Sequence, residues 1–414
     1  MSEPNAREDV TTDPELTFNP FDPGQTQHMW ELMKRLRSEC PVSRPMDGFV
    51  YTATYADTAS TFKDAKRFSS AEGFRGAGVV VPDEESFLGE IDPPLHPKVR
   101  RLMHRAFTPR TSAEVEPFTR ELTDELLDPI VANGGGDLMA GLCTVLPVAV
   151  SAEALGIPRA QHAEVAHWCQ ELLHSTWPET NATERGVGVG GGFPEFAEII
   201  DAQIRLRRST AKPPDDLLTR MVQAEDDGDR LSDLHIRTLA VNTLAGSLST
   251  TYMLGNLLYR FVADPEFAAS LRADRGLLPE AVEESLRLEP PVLFLFRTAK
   301  EETTIGSTPV HAGERVIVGI ASGNRDEQAY ECPDEFRLDR GITKGDAPDH
   351  LTFGVGPHIC LGIHVARMEG RVVLEAMLDR FAPGQMKLGD GYELHFVPMF
   401  LEYGPETLEV RLAD

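Results

Sequence analysis

The stretch Phe353-Gly354-Val355-Gly356-Pro357-His358-Ile359-Cys360-Leu361-Gly362 decides how the rest of this chain is read. One cysteine stands between glycines, and helical text follows at once. Ile363-His364-Val365-Ala366-Arg367-Met368-Glu369 runs on into Val372, Val373, Leu374, Met377 and Leu378, an apolar stripe at helical spacing. Cys360 is therefore expected at a helix N-terminus, where unpaired backbone N–H groups and the positive end of the helix dipole favour a thiolate over a thiol. Gly354, Gly356 and Gly362 let backbone come close to something flat and large. Phe353, seven residues before the sulfur, is placed to cover it from the side. A lone cysteine in a glycine loop is ordinarily a buried structural residue beside a helix cap; here the whole string has to be weighed.

With 414 residues, 41% hydrophobic and 26% charged, the chain can bury a sizeable core and has the composition of an ordered globular protein. The formal net charge of −26 argues against nucleic acid and anionic membrane surfaces as partners, since both would repel it. The first residues, MSEPNAREDVTTDPELTFNPFDP, have neither a basic n-region nor an apolar h-region, and no apolar run reaches the ~18 residues of a membrane span. A cytoplasmic protein is expected. Cys40, Cys143, Cys169, Cys332 and Cys360 show no CxxC spacing, so neither a zinc site nor a disulfide framework is implied.

Helical patterns are predicted over 25–38, 55–66, 96–107, 112–133, 159–175, 194–209, 232–263 and 277–288. Strand-like text is confined to Phe49–Thr54, Val292–Arg297, Val310–Val318 and Tyr392–Leu412. The expectation is a mainly α protein with small β-sheets, residues 1–414 forming one domain and residues 1–20 a flexible tail. The glycine-rich run 186–192 is not a phosphate loop: no strand precedes it and no Lys-Ser/Thr follows. It is read as a mobile connection between helices.

The string F-G-x-G-x-H-x-C-x-G followed by A-R-x-E resembles the haem-binding signature of the cytochrome P450 family at every one of those positions. A haem iron held by a single cysteine thiolate is the chemistry such a loop suits. The resemblance extends over essentially the whole chain. It implies that family's fold, a triangular prism of about a dozen helices around a buried haem b, with Cys360 as the metal ligand and Phe353, Gly354 and Gly362 lining the haem. Glu284-Ser285-Leu286-Arg287 matches the family's E-x-x-R, a buried pair bracing the haem side. Asn324 and Arg325 belong to the meander that supplies its third partner. Glu335 stands where many relatives carry that arginine, and Arg337 or Arg340 could substitute.

His96 and Arg100 are four apart and share a helix face, with Lys98, Arg101 and Arg105 on another. In the resembled family the H-x-x-x-R pair binds the haem propionates together with counterparts of Arg297 and His358. From Pro93 to Ala113 there is no Asp or Glu, while Lys98, Arg100, Arg101, Arg105 and Arg110 are present, a local basic island on an acidic chain. That island could steer an acidic iron–sulfur protein to the cysteine side; the plain alternative is a solvated helix face.

The pattern 232–263, about 50 Å long at ~1.5 Å per residue, contains Ala245-Gly246-Ser247-Leu248-Ser249-Thr250. Small residues there let backbone pass close over a haem, and hydroxyls that bond back to carbonyls can open the helix. The family commonly has an acid and a threonine where this chain has Leu248 and Ser249, the pair that organises proton delivery. Leucine can relay nothing. Protons then arrive through Ser247, Thr250, ordered water or the substrate, or else the enzyme relies less on the relay.

By position in the family, substrate-pocket lining comes from Phe74–Leu88, Leu172–Trp177, Thr243–Ser247, Val292–Phe296 (Val292, Leu293, Phe294 and Leu295 among them) and Val397–Phe400, mostly apolar. The resemblance thus implies a monomeric haem-thiolate monooxygenase of the soluble bacterial kind. It would insert one oxygen atom from O2 into a lipophilic small molecule, with electrons from NAD(P)H through a ferredoxin reductase and a 2Fe-2S or similar ferredoxin. Leu248 leaves open a peroxygenase or a non-oxygenating haem-thiolate catalyst, and a non-catalytic haem protein is the more distant alternative.

Overall fold

The computed structural model describes residue 16 and residues 18–76, 78–79, 81–107, 109–175, 180–397 and 402–413; the side chains of Pro23, Thr26, Gln27 and Arg105 also lie outside the description. Local chemistry sets the helix starts. The Thr54 hydroxyl accepts from the Asp57 N–H to open Tyr55–Lys63, and Ser232 does the same for Asp233–Gly246 through the His235 N–H. Asp264 caps Pro265–Ala273, with proline at the first helical position. Leu278–Leu288 stops just before Pro290-Pro291.

Helices dominate, as the periodicity predicts, but Leu217–Gln223 and Pro265–Ala273 lie outside the expected spans, and two further differences bear on the core and the site. Leu146–Ala154 is a helix the spacing does not reveal, because every residue but Glu153 is buried and no polar face marks a period. The expected long helix 232–263 consists of two, Asp233–Gly246 and Leu248–Ala263, parted at Ser247.

A five-stranded sheet runs in the order Val42–Ser43, Phe49–Thr52, Arg315–Val318, Leu295–Ala299, Phe68–Ser69. Only the Phe49–Thr52 and Arg315–Val318 pair is parallel, with Ile317 opposite Tyr51 on one side and Phe296 on the other. A smaller sheet joins Met386–Leu388, Glu409–Leu412 and Gly135–Asp137. The expected strand Tyr392–Leu412 is mostly not one: among the described residues only Glu409–Leu412 pairs continuously, and Phe396–Pro405 and Val292–Glu402 are isolated bridges. Pro405, which has no N–H to give, and Gly404 interrupt the ladder.

Of the expected flexible tail, residues 1–15 and 17 lie outside the described residues, but Phe18 is a core residue. Its ring packs on Tyr51 at 5.4 Å and on Phe294 at 6.5 Å. The glycine-rich run is likewise packed. Gly186–Val187 pairs with Ala182–Thr183, and Gly188–Gly192 makes a helical turn. A Cβ on Gly190 would lie 2.9 Å from the Arg237 guanidinium, so bare backbone there lets the connection sit against the Asp233–Gly246 helix.

Three helices meet under the cysteine loop. At Gly370 of the Ile363–Arg380 helix an added Cβ would meet Val282 at 3.1 Å and Met253 at 3.6 Å, so glycine brings Leu278–Leu288 and Leu248–Ala263 into close contact with it. Beside them lies a buried ionic network. Arg287 donates to Glu284 through Nε (2.7 Å) and Nη2 (2.8 Å), both side chains being fully buried. Arg340 donates through Nε to both Glu284 oxygens at 2.9 and 3.0 Å. The open choice of third partner thus falls on the Arg340 side chain. Arg337 contributes only its backbone N–H, at 2.9 Å, while its guanidinium turns outward to Asp339.

The remaining guanidinium hydrogens go to carbonyls of Asn324, Glu331, Cys332, Pro333 and Glu335, so the meander is tied to the helix through two arginines. Asn324 accepts from the Leu351 N–H and donates to Thr352, linking that network to the loop that leads into Cys360. Arg325 holds the Leu288 carbonyl and stacks on Trp30 at 3.7 Å. Glu284→Gln leaves two buried guanidinium ions short of one carboxylate, and thermal denaturation should show a loss of about 3–5 kcal/mol. The same change at solvent-facing Glu331 should leave the transition unmoved.

Candidate active site

The cysteine loop is held by its own backbone. The Cys360 N–H donates to the Phe353 carbonyl at 2.9 Å, Gly354 N–H to Leu351, and Ile359 N–H to Gly356. Gly354 (φ 68°) and Gly356 (φ 83°) lie in the left-handed region that glycine alone adopts freely. A Cβ on Gly356 would also come within 3.0 Å of Lys63 Cα. Gly362 begins the Ile363–Arg380 helix, and a Cβ there would stand 3.8 Å from the Cys360 sulfur. The Phe353 ring packs against the Arg367 guanidinium at 5.2 Å and against His350 at 5.5 Å. Glu283, buried, accepts from Arg367 Nε and Nη2 and lies 3.3 Å from His350 Nε2. Burial alone would raise the Glu283 pKa, but those two partners hold it down to about 2.

The surroundings of the sulfur oppose one another. Burial pushes the Cys360 thiol pKa up, and the Gly362 and Ile363 N–H groups, with Arg100 and Arg367 nearby, oppose that without overcoming it. A cation bound at the sulfur would favour the thiolate.

His96, Arg100, Arg297 and His358 converge as their positions predict. The His96 and His358 rings lie 3.9 Å apart. Burial, with Arg100 also near, lowers the His96 pKa to about 4; burial and then His96 lower His358 to about 3. His96 Nε2 and His358 Nδ1 are buried without a hydrogen-bond partner. His358 Nε2 meets the Ser70 hydroxyl at 3.0 Å, and Ser70 is in turn bonded to Asp92. Arg297 is 5% exposed, donates to the Phe296 carbonyl at 2.7 Å and stacks on Phe62. Burial lowers its pKa to about 10. Neither Arg100 nor Arg297 has a carboxylate within ion-pair distance among the described residues. Asp92 is the nearest acid, but it is engaged by Ser69, Ser70 and Lys300, so the four groups form a cradle without an ion-paired counter-charge of their own.

On the central helices, Ala245 and Leu248 are buried, and a Cβ added to Gly246 would meet nothing within 4 Å. Helical bonding changes at this point. Ser247 N–H reaches the Leu244 carbonyl and Thr250 N–H the Ser247 carbonyl, both three residues back. The Ser247 hydroxyl binds the Leu244 carbonyl at 2.6 Å and the Ser249 hydroxyl the Gly246 carbonyl at 3.0 Å. These back-bonds open the helix beside Gly246, as the hydroxyl-rich sequence suggests.

Of the expected pocket residues, Leu293 and Phe294 are core side chains packed with Phe18, Met29 and Tyr51; Val292 and Leu295 are half-buried. Phe400 lies outside the described residues, as does Trp177. The 72–90 segment is fixed to the neighbouring connection by Arg75, which donates to Asn181 at 2.7 Å and to Glu90 at 2.9 Å.

The basic island is not free. Lys98 pairs with Asp229 at 3.1 Å and Arg101 with Asp226 at 2.7 Å. Arg110 pairs with Glu114 and Asp215. Acids from a distant turn offset the local excess of cations, which a count along the sequence cannot show. The Arg105 side chain lies outside the description.

A family model described as Cytochrome P450 matches residues 193–390. The chain is 34% identical over 370 residues to Cyclomarin C epoxidase CymV of Salinispora arenicola (strain CNS-205), covering 87% of this chain and 90% of that protein. The chain belongs to the cytochrome P450 family. It is 32% identical over 369 residues to Erythromycin C-12 hydroxylase of Saccharopolyspora erythraea, covering 88% and 90% of the two chains. Its fold matches Cytochrome P450 CYP109Q5 from Chondromyces apiculatus with a TM-score of 0.83 at 30% identity, over 96% of this chain and 99% of that one. This P450 is an oxidoreductase of the monooxygenase class, acting on lipophilic substrates, and its family implies a haem-thiolate cofactor.

The residues fit that group: a lone thiol at a helix start, open space beside Gly246, and orphaned polar atoms on His96 and His358. Sequence reasoning missed Ser70, Asp92, Glu283 and His350, whose partnerships are long-range and carry no local signal; Arg367 was visible within A-R-x-E. Removing one charge-assisted donor to a buried carboxylate costs about 1.5–3 kcal/mol. Arg297→Leu, and His96→Phe to a smaller extent, should therefore speed haem transfer to excess apomyoglobin about tenfold or more, against no change for Lys98→Ala.

Proposed function

We propose that this P450 holds haem b on Cys360, with its carboxylates received by His96, Arg100, Arg297 and His358, as one domain in a monomeric cytoplasmic protein. Bound there, the haem supplies activation of O2, one oxygen atom entering a C–H or similar bond of a lipophilic substrate and the other leaving as water. The chain's own residues bind, orient and exclude. The arginines and histidines offset the carboxylates, Phe353 with Arg367 covers the sulfur side, and the break at Ser247 opens a groove beside Gly246 with Ser249 and Thr250 at hand. The observation that carries this reading is the convergence of four cationic or hydrogen-bonding groups, two of them with orphaned ring nitrogens, on the side of the chain where Cys360 stands.

Electrons come from NAD(P)H through a ferredoxin reductase and a ferredoxin docking on the Leu95–Ala106 helix near Cys360. Supporting this is the exposure of Lys98 and Arg101 on the face opposite His96. Their pairing with Asp229 and Asp226 means an acidic partner competes with the chain's own acids. A second reading, peroxide-driven oxidation, is favoured by Leu248 alone.

Turnover by a surrogate ferredoxin system with NADPH, compared with hydrogen peroxide alone, separates the two; substrates are found first by the spin-state shift they induce in the haem spectrum. Faster turnover with the ferredoxin system is expected, and turnover with peroxide only would overturn the electron route. Asp226→Asn with Asp229→Asn should lower the KM for ferredoxin several-fold at low salt, an effect that disappears at high ionic strength.

A further inference from the structure

Leu248 does not face a dry wall. It borders a cavity of about 150 Å³ that Thr251 and Tyr252 also line from the Leu248–Ala263 helix, Gln170 and His174 from His162–His174, and Glu402 from the C-terminal segment. Leu248, Thr251 and Tyr252 are spaced so as to share one helix face. At about 30 Å³ per molecule the cavity has room for about five waters. His174 is exposed, so the cavity reaches the surface at that end.

Two of its polar groups are unpartnered. Thr251, 4% exposed, has a buried hydroxyl without a hydrogen-bond partner. The Glu402 carboxyl makes no hydrogen bond or ion pair with any described residue. Burial pushes its pKa up to about 7. The titratable or charged groups around it are His174, Tyr252, Tyr403 and Glu406, with Asp22 across a narrow cleft lined by Phe18 and Leu293. None of these is a lysine or arginine that would fix Glu402 as an anion. Thr251 lies one residue beyond Thr250, whose N–H bonds to the Ser247 carbonyl at the helix break.

We propose that Glu402 supplies protons to the groove beside Gly246 and Ser249, passing them through cavity water and the Thr251 hydroxyl to the break at Ser247. Each proton that leaves the carboxyl leaves a carboxylate, which takes its replacement from solvent on the His174 side; no electrons move. Glu402 touches no reacting atom and acts through cavity water and Thr251, which is one helical turn from Ser247. Leu248 keeps one wall apolar, which helps hold the carboxyl neutral, so an acid from a distant segment does what a leucine cannot. The sign follows from the raised pKa: the carboxyl is loaded below about 7, and supply falls as pH rises through that value.

The inference rests on the oxygenase reading, so the test separates the two. Haem-loaded protein, without substrate, is titrated by infrared difference spectroscopy, which needs no turnover. Of the carboxyl signals changing near neutral pH, to which buried Glu369 also contributes, one should be lost in Glu402→Gln and kept in Glu369→Gln. The same proteins, given NADPH, oxygen and a surrogate ferredoxin system, divide reducing equivalents between hydrogen peroxide and water. Glu402→Gln should raise the peroxide share several-fold and abolish its dependence on pH near 7, and Glu402→Asp should restore part of both. An infrared difference spectrum unchanged by Glu402→Gln, or an unchanged peroxide share and pH profile, overturns the proposal. Absence of oxygen-dependent NADPH consumption in the wild type would sink the oxygenase reading, and the relay with it.

Discussion

The protein packed around the Cys360 sulfur at the head of a helix holds it toward the neutral thiol, and this constraint organises the site. Burial raises its pKa against the pull of two backbone N–H groups and two arginines. A bound iron resolves the imbalance at the sulfur, and the carboxylates of the same haem resolve the opposite imbalance at Arg100 and Arg297. Each half of the site is incomplete in charge, and one ligand completes both.

Holding such a site requires that the surroundings not relax. Glu284 joins Arg287 to Arg340, and those arginines occupy the carbonyls of the meander, so the loop before Cys360 is fixed from a buried ionic centre. Glu283, the preceding residue, reaches the other way to Arg367 and His350. Two adjacent carboxylates thus brace the cysteine loop from both sides. The desolvation of these charges is offset only because nearly every donor is used, which gives rigidity more than net stability.

What was legible in the sequence was local. The cysteine loop, the i,i+3 pair Glu284 and Arg287, and the i,i+4 pair His96 and Arg100 are patterns within one turn of helix, and the structure places them as their spacing predicts. Most helices showed through a single apolar face. Leu146–Ala154 did not, because burial on every side erases the period. The choice between Arg337 and Arg340, the pairing of Lys98 and Arg101 with Asp229 and Asp226, and the position of Glu402 beside Leu248 all depend on contacts between distant segments. No window of sequence contains both partners. Leu248 could be read as a leucine in a hydroxyl-rich stretch; the carboxyl across the cavity was out of reach.

The account turns on Cys360 being an anionic ligand once haem is bound. The most direct measurement is the absorption spectrum of the reduced protein with carbon monoxide. A Soret band at the long wavelength of thiolate ligation is expected, lost in Cys360→Ala while the four other cysteines remain. A band at the shorter wavelength of neutral thiol or imidazole ligation in the freshly folded wild type would contradict it.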